Sequence, residues 1–141
     1  MLLIVLIWTP TQARLIEPTA SASEAVDAFG TLLTSGKVSA LKRWFPDDGK
    51  IRVRLVQFGS EQGALRSGQL LVILKRFFER GAVDAFKIET VEESDSIAIV
   101  SAMLQLQTTS GTRESVRLHL SFQWSGDRWV VREFREARPS K

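Results

Sequence analysis

The chain of 141 residues contains no cysteine and one histidine, His119. Without cysteine it can hold no disulfide framework, no thiolate metal site, no cysteine nucleophile and no lipid-modified cysteine. Zinc and other transition metals are bound mainly by imidazole and thiolate groups, so a single histidine argues against such a site. We therefore expect neither a metal nor a cofactor.

Dense runs of lysine and arginine are also missing, and the formal net charge is only +3. This modest charge argues against a nucleic-acid partner. Hydrophobic residues make up 44% of the chain and charged residues 25%. These fractions are typical of a globular protein, and the length fits one domain.

No apolar run reaches the length of about 20 residues that a transmembrane helix needs. The run "MLLIVLIW" at the N-terminus is shorter, and small residues follow it. It predicts a signal peptide over residues 1–22, with cleavage after Ala13 or Ala22, and export to the periplasm or the medium. No basic residue precedes Trp8, so the alternative is a short buried strand at the start of the domain. With a signal peptide, a single domain spans 23–138.

Three segments carry helical patterns. Ser21 and Glu24 have the spacing of a capping box, and apolar residues then recur at helical spacing as far as Gly36. A second, short helix is predicted over 37–45. The strongest helix pattern covers 68–80, with Ser67 as its cap, and its apolar stripe is centred on Leu74 and Phe77. Gly81 is expected at the C′ position of this helix.

The remaining apolar segments alternate and predict strands over 51–57, 83–92, 97–108, 114–124 and 128–136. The segment "GSEQGALRSG", residues 59–68, is predicted to be a loop. Short polar turns join the last four strands, as in antiparallel hairpins. The order is α-α-β-α-β-β-β-β. It indicates an α+β domain with helices packed on one face of a curved antiparallel sheet.

His119 lies in the strand over 114–124, where every second residue is apolar and the others, His119 among them, are polar. Since the helices must cover the apolar face, His119 is expected to point away from the core, as a surface or interface residue. A catalytic role would need a register slip that moves the whole apolar set into water.

In the neighbouring strand, over 97–108, about half of the residues on the outward face are apolar. Together with the strand of His119 it predicts an interface formed by Ile97, Ile99, Met103, Arg117 and His119. A second copy of the chain is one candidate to cover this surface, as a homodimer. The alternative is a set of scattered apolar surface residues, which is common on monomers.

The segments "FGTLLTSGKVSALKRWF", "SGQLLVILKRFFER", "AFKIETVE" and "SGDRWVVREFRE", in this order, resemble the nuclear transport factor 2-like superfamily. Within it the chain is similar to small exported bacterial proteins of unknown function. The resemblance covers roughly residues 24–137. It implies a curved antiparallel sheet that wraps around the helices as a cone.

The superfamily includes ketosteroid isomerase and polyketide cyclases as well as non-catalytic binding and dimerising domains. The isomerase type needs a carboxylate base, with a tyrosine and a protonated aspartate as hydrogen-bond donors to the oxyanion. The sequence has no tyrosine. Asp84, which shares strand parity with Phe86 and Ile88, is the best candidate for an inward carboxylate. The alternative is an aspartate at the rim of the sheet.

The resemblance thus implies a non-catalytic exported binding module, for a small apolar ligand or a protein partner. The alternative is a small-molecule isomerase or cyclase that uses a pocket carboxylate. Aromatic residues are predicted either to line the pocket or to form the core: Trp44, Phe58, Phe86, Phe122, Trp124 and Phe134. A further possibility is a basic patch for an anionic surface, formed by Arg52, Arg54 and Arg117, unless these are ordinary solvated arginines.

Overall fold

The computed structural model describes residues 21–56 and 61–137. Most of the predicted signal peptide therefore lies outside the described residues. The predicted α+β class is confirmed. The elements in chain order are α1 (Ala22–Ser35), α2 (Val38–Leu41) with a 3-10 turn (Lys42–Trp44), β1 (Ile51–Leu55), β2 (Glu61–Leu65), α3 (Ser67–Arg80), β3 (Gly81–Ser94), β4 (Ile97–Thr108), β5 (Arg113–Trp124) and β6 (Trp129–Glu136).

All six strands form one curved sheet in the order β2-β1-β6-β5-β4-β3. Strands β3 to β6 form the predicted antiparallel meander. The sheet is mixed rather than wholly antiparallel, because β1 runs parallel to β6. A parallel pair requires a long crossover connection, and β2, α3 and the meander supply it.

Strand β2 lies in the segment for which the sequence predicts a loop. Its sequence, EQGAL, has no apolar alternation and contains Gly63 at a φ of +133°. It nevertheless pairs in register with β1 and forms one edge of the sheet. An edge strand needs a partner on one side only, so a weak sequence pattern is sufficient.

Helix α1 begins and ends as its sequence predicts. The Ser21 hydroxyl accepts a hydrogen bond from the Glu24 N–H at 3.1 Å, and Gly36 ends the helix with a φ of 69°. The buried face of the helix includes Val26, Phe29 and Leu33. This face packs against the sheet, mainly against β3.

Helix α3 differs from expectation at both ends. Its N-cap is Arg66, whose N–H donates to the Gln69 side chain at 2.9 Å, while the Ser67 hydroxyl donates to the Pro46 carbonyl. Gly81 is not left-handed but extended, with a φ of −176°, and begins β3. An added Cβ there would lie 2.7 Å from the carbonyl oxygen of Gln107. Close approach to β4, rather than a helix C-cap, explains this glycine.

The sheet has a core face and an outer face. Residues of β4 and β5 alternate between them, so that Val100, Ala102, Leu104, Val116, Leu118 and Leu120 are buried on the core face. The outer face carries Ser101, Met103, Arg117 and His119. From α3, Leu70 and Leu74 complete the core. None of the helices in the described part of the chain has the length and hydrophobicity of a membrane span.

Strand β6 contains an extra residue. Its register with β5 passes from Val131, opposite Phe122, to Glu133, opposite Ser121, so Arg132 forms a bulge. The bulge returns Phe134 to the core face that Trp129 and Val131 share. One extra residue in a strand inverts the facing of all residues beyond it.

Candidate functional site

The interior between α1 and the sheet is filled by aromatic rings. Phe29 of α1 lies at the centre, and four rings contact it edge-on at centroid distances of 5.6 to 6.4 Å. The four are predicted pocket residues: Trp44, Phe86, Phe122 and Phe134. T-shaped pairs of this kind add to the stability that burial itself provides. The structure thus brings these four together, around a side chain that fills the space between them.

The other two predicted pocket aromatics are not in this cluster. Phe58 lies outside the described residues. Trp124 is buried and packs against Trp129, with ring centroids 5.6 Å apart. The indole N–H groups of Trp124 and Trp44 are buried and make no hydrogen bond within the described chain. They are donors that the interior offers to an acceptor group.

Asp84 does not face the interior, which corrects its predicted position. The register of β3 shifts between Val83 and Ala85, so Asp84 lies in a bulge and its side chain is exposed. Val83, one residue earlier, takes the inward position and is buried. The prediction rested on Asp84 and Phe86 being two residues apart on one strand, but a bulge between them puts them on different faces.

Glu136 is the one charged residue that is buried in the described part of the chain, with a relative exposure of 7%. It lies opposite Leu118 in register, at the end of β6 on the core face. Sequence reasoning missed it, because only the bulge at Arg132 turns this position inward. The described interior therefore holds one buried carboxylate, and the chain contains no tyrosine.

The five predicted interface residues all lie on the outer face, on paired strands. Ile97 and Ile99 are 46% and 55% exposed, and Met103 lies opposite Arg117. His119 is exposed and lies opposite Ser101. The structure therefore brings these side chains onto one surface, with the two isoleucines as its apolar part.

Two of the three predicted patch arginines are engaged in ion pairs. Arg117 binds both carboxylate oxygens of Glu89, at 2.9 and 3.3 Å. This hydrogen bond and the charge of Glu89 raise the pKa of Arg117 above its usual value. Arg52 lies 3.8 Å from Glu133. Arg54 is half-buried and has no such partner among the described residues.

An open groove of about 580 Å³ runs between α2 and α3. Its apolar wall consists of Val38 from α2 with Leu71, Val72 and Phe78 from α3. Val72 is 50% exposed, which is high for a valine in the middle of a helix. The described residues contain no group of three or more histidine and acidic side chains suited to a metal ion.

No family model matches the sequence, and no curated protein is detectably similar to it. Solved structures do resemble it. A DUF4783 family protein from Bacteroides ovatus superimposes with a TM-score of 0.60 at 14% identity, over 86% of this chain and 97% of that one. A second DUF4783 family protein, from Bacteroides uniformis, has a TM-score of 0.62 at 15% identity, over 86% of this chain and 100% of the other.

A third structure, a hypothetical protein from Catenulispora acidiphila with a ketosteroid isomerase-like fold in complex with trimethylamine, has a TM-score of 0.65 at 14% identity. The match covers 84% of this chain and 87% of that chain. At such low identity the likeness is one of architecture. The chain has the α+β cone fold of the nuclear transport factor 2-like superfamily.

Proposed function

We propose that the protein is a non-catalytic binding module that holds a small apolar ligand in the groove between α2 and α3. The observation that carries the proposal is the apolar wall of this groove, in which Val72 of α3 is half exposed. A cleft of several hundred Å³ with an apolar wall and a few polar groups is typical of small-molecule sites. Lys75 and Glu79 supply the polar groups.

The fold supports a binding role but leaves the ligand open. The structurally similar protein from Catenulispora acidiphila carries trimethylamine, a small organic molecule. That complex supports the view that this scaffold suits small ligands, while the apolar character of the ligand proposed here is inferred from the groove alone.

The isomerase alternative has little support among the described residues. Asp84 is exposed, and the chain has no tyrosine to donate to an oxyanion. Glu136 is buried, but it lies on the core face at the end of β6, away from the residues of the α2–α3 groove. A general base needs hydrogen-bond reach to its substrate, so these carboxylates do not suit catalysis in the groove.

Binding of the uncharged apolar dye Nile red tests the proposal. The wild-type protein should enhance the fluorescence of the dye in a saturable way. Val72→Glu places a carboxylate in the apolar wall and should weaken binding about tenfold or more, because the charge must be desolvated by an apolar ligand. Ala28→Glu adds the same charge at an exposed position of α1 and should leave the affinity unchanged. Equal affinities of wild type and Val72→Glu would refute the groove as the site.

We also propose that two copies of the chain pair through the outer face. The exposed Ile97 and Ile99 favour this, since a two-fold contact would bury them and leave the arginines at a polar rim.

Likewise we propose that the protein is exported. The support for export is the apolar run from Met1 to Trp8, with small residues at Ala13 and Ala22.

A further inference from the structure

Two arginine side chains and one histidine side chain lie in a row across the outer face. In register, Arg135 of β6 has Arg54 of β1 on one side and His119 of β5 on the other. Neighbouring strands are about 4.8 Å apart, so the whole row spans about 10 Å between strand axes. Two guanidinium groups and an imidazole therefore project from adjacent positions on the same face.

The charge of this row is only partly compensated. One carboxylate, that of Glu133, lies 3.3 Å from the Arg135 Nε and 3.8 Å from the Arg52 Nη1. The side chains of Arg54 and His119 make no hydrogen bond or ion pair with the described residues, although both backbones are paired in the sheet. Like charges side by side on adjacent strands destabilise a sheet, and the cost is larger for Arg54 because it is half-buried. This arrangement calls for a counter-charge.

The row borders a hollow. Directly after β6, the next outer-face position is that of Ala137, whose N–H donates to the Arg117 carbonyl at 2.8 Å. The methyl group of Ala137 is much shorter than the neighbouring arginine side chains and therefore leaves space between them. The hollow has a volume of about 190 Å³ and is lined by Arg54, His119, Arg135, Glu136 and Ala137. At about 30 Å³ per molecule this is room for roughly six waters.

The acidic residues near the hollow do not fill it. Glu136 lines it as well, but it is 7% exposed and its register opposite Leu118 puts it at a core-face position of the sheet. Glu133 lies on the other side of Arg135, shared with Arg52. Glu89 is occupied by Arg117. The open side of the hollow thus presents cationic and donor groups.

We propose that this hollow binds a small oxyanion, a carboxylate or a phosphate group, between Arg54, Arg135 and His119. A guanidinium group is a planar fork of donors that matches the oxygens of either anion. The hollow lies on the outer face of the sheet and is distinct from the groove between α2 and α3. Its size admits a free small anion or a single terminal group of a larger molecule, such as the phosphate of a lipid.

Calorimetric titration of the full chain at low ionic strength, with inorganic phosphate and separately with acetate, tests the site. Arg54→Gln should weaken binding about tenfold, the value of a charged hydrogen-bonded contact. Ala137→Leu keeps every charge but fills the hollow, and should abolish binding. Arg113→Gln removes the same charge from an exposed position at the far end of β5 and should change the affinity less than about twofold, because exposed distant charges are screened.

Melting curves of each variant establish that it is folded. If Ala137→Leu fails to fold, His119→Gln is the second variant, since it changes an exposed side chain and should weaken phosphate binding measurably. Equal losses in Arg54→Gln and Arg113→Gln would show a general charge effect and overturn the proposal. So would an unchanged affinity in Ala137→Leu, or in His119→Gln where it replaces that variant.

Co-sedimentation with phosphatidate vesicles, compared with phosphatidylcholine vesicles, separates the two sources of the phosphate group. Binding to phosphatidate vesicles that Arg54→Gln weakens about tenfold, as it should weaken phosphate binding, would identify a lipid headgroup as the occupant. Binding of inorganic phosphate or acetate without vesicle binding would identify a free anion. Failure of both anions and of the vesicles to bind would overturn the proposal and leave the groove proposal untouched.

Discussion

Gly30 of α1 and Phe86 of β3 are packed so closely that a Cβ added to the glycine would lie 2.3 Å from the Phe86 Cδ1. Carbon atoms do not tolerate such a distance. Phe86 in turn contacts Phe29 edge-on, with centroids 6.4 Å apart. The glycine in the middle of a helix is therefore explained by the close approach of α1 to the sheet, and it brings Phe29 into the centre of the aromatic cluster.

Gly30→Ala should destabilise the protein by about 1–3 kcal/mol, as overpacking of a core does, although alanine is the better helix former by up to about 1 kcal/mol. The midpoint of urea unfolding measures this. Gly68→Ala in α3 meets open space and should not lower the stability. Combining Gly30→Ala with Phe86→Leu should recover part of the loss, since the clash is removed. A Gly30→Ala protein as stable as the wild type would contradict this packing.

Adjacent residues of α3 should differ sharply in their response to truncation. Leu74 is fully buried, and Leu74→Ala should cost about 2–5 kcal/mol through lost burial and a cavity. Lys75 is exposed at the rim of the groove, and Lys75→Ala should change stability by less than about 0.5 kcal/mol. Denaturant unfolding of both variants provides the comparison. Equal shifts in their midpoints would show that the faces of α3 are assigned wrongly.

Regular alternation made β4 and β5 predictable from the sequence. The bounds of β4 agree with the prediction, and the polar and apolar faces of β5 are as expected, with His119 exposed. Both strands lie inside the sheet and are covered on one face only. In such strands apolar and polar residues alternate without interruption, and this alternation specifies the register.

Bulges explain most of what the sequence could not reveal. In β3 a bulge exposes Asp84, which parity had placed inside. In β6 the bulge at Arg132 moves Arg135 to the outer face; continuous alternation from Trp129 would have turned it toward the core. Since a bulge changes the facing without changing composition, neither Arg135 beside His119 nor the buried Glu136 could be found from alternation alone.

The sequence alone also could not show whether the aromatic residues form the core or line a pocket. An aromatic residue in an apolar stripe is equally compatible with a core and with a ligand pocket, because both bury the ring. The position of Phe29 among the rings of Trp44, Phe122 and Phe134 depends on how α1 crosses the sheet. That crossing is a tertiary relationship which no local pattern encodes.

Ile99→Glu should separate the proposed dimer without unfolding the subunit. Ile99 is 55% exposed, so its replacement leaves the core intact, but near a two-fold axis it brings two like charges together. Such a juxtaposition costs several kcal/mol and should weaken association by more than about a hundredfold. Sedimentation across a concentration series measures it. Ala28→Glu adds the same charge at an exposed position of α1, away from the outer face, and should leave association unchanged. A wild-type protein that stays monomeric at high micromolar concentration would rule out the dimer.

Signal cleavage should occur after Ala13 rather than after Ala22. The Ser21 hydroxyl caps α1 by accepting from the Glu24 N–H, and the Ala22 side chain is fully buried. Removal of both would cost the helix its cap, about 0.5–2 kcal/mol, in addition to the lost burial. N-terminal sequencing of the exported protein should therefore begin at Arg14. A chain that starts at Ser23 should unfold at a lower denaturant concentration than one that starts at Arg14, and Ser21→Ala in the longer chain should reproduce part of the difference. An exported, folded protein that begins at Ser23, or one that retains Met1, would contradict the prediction.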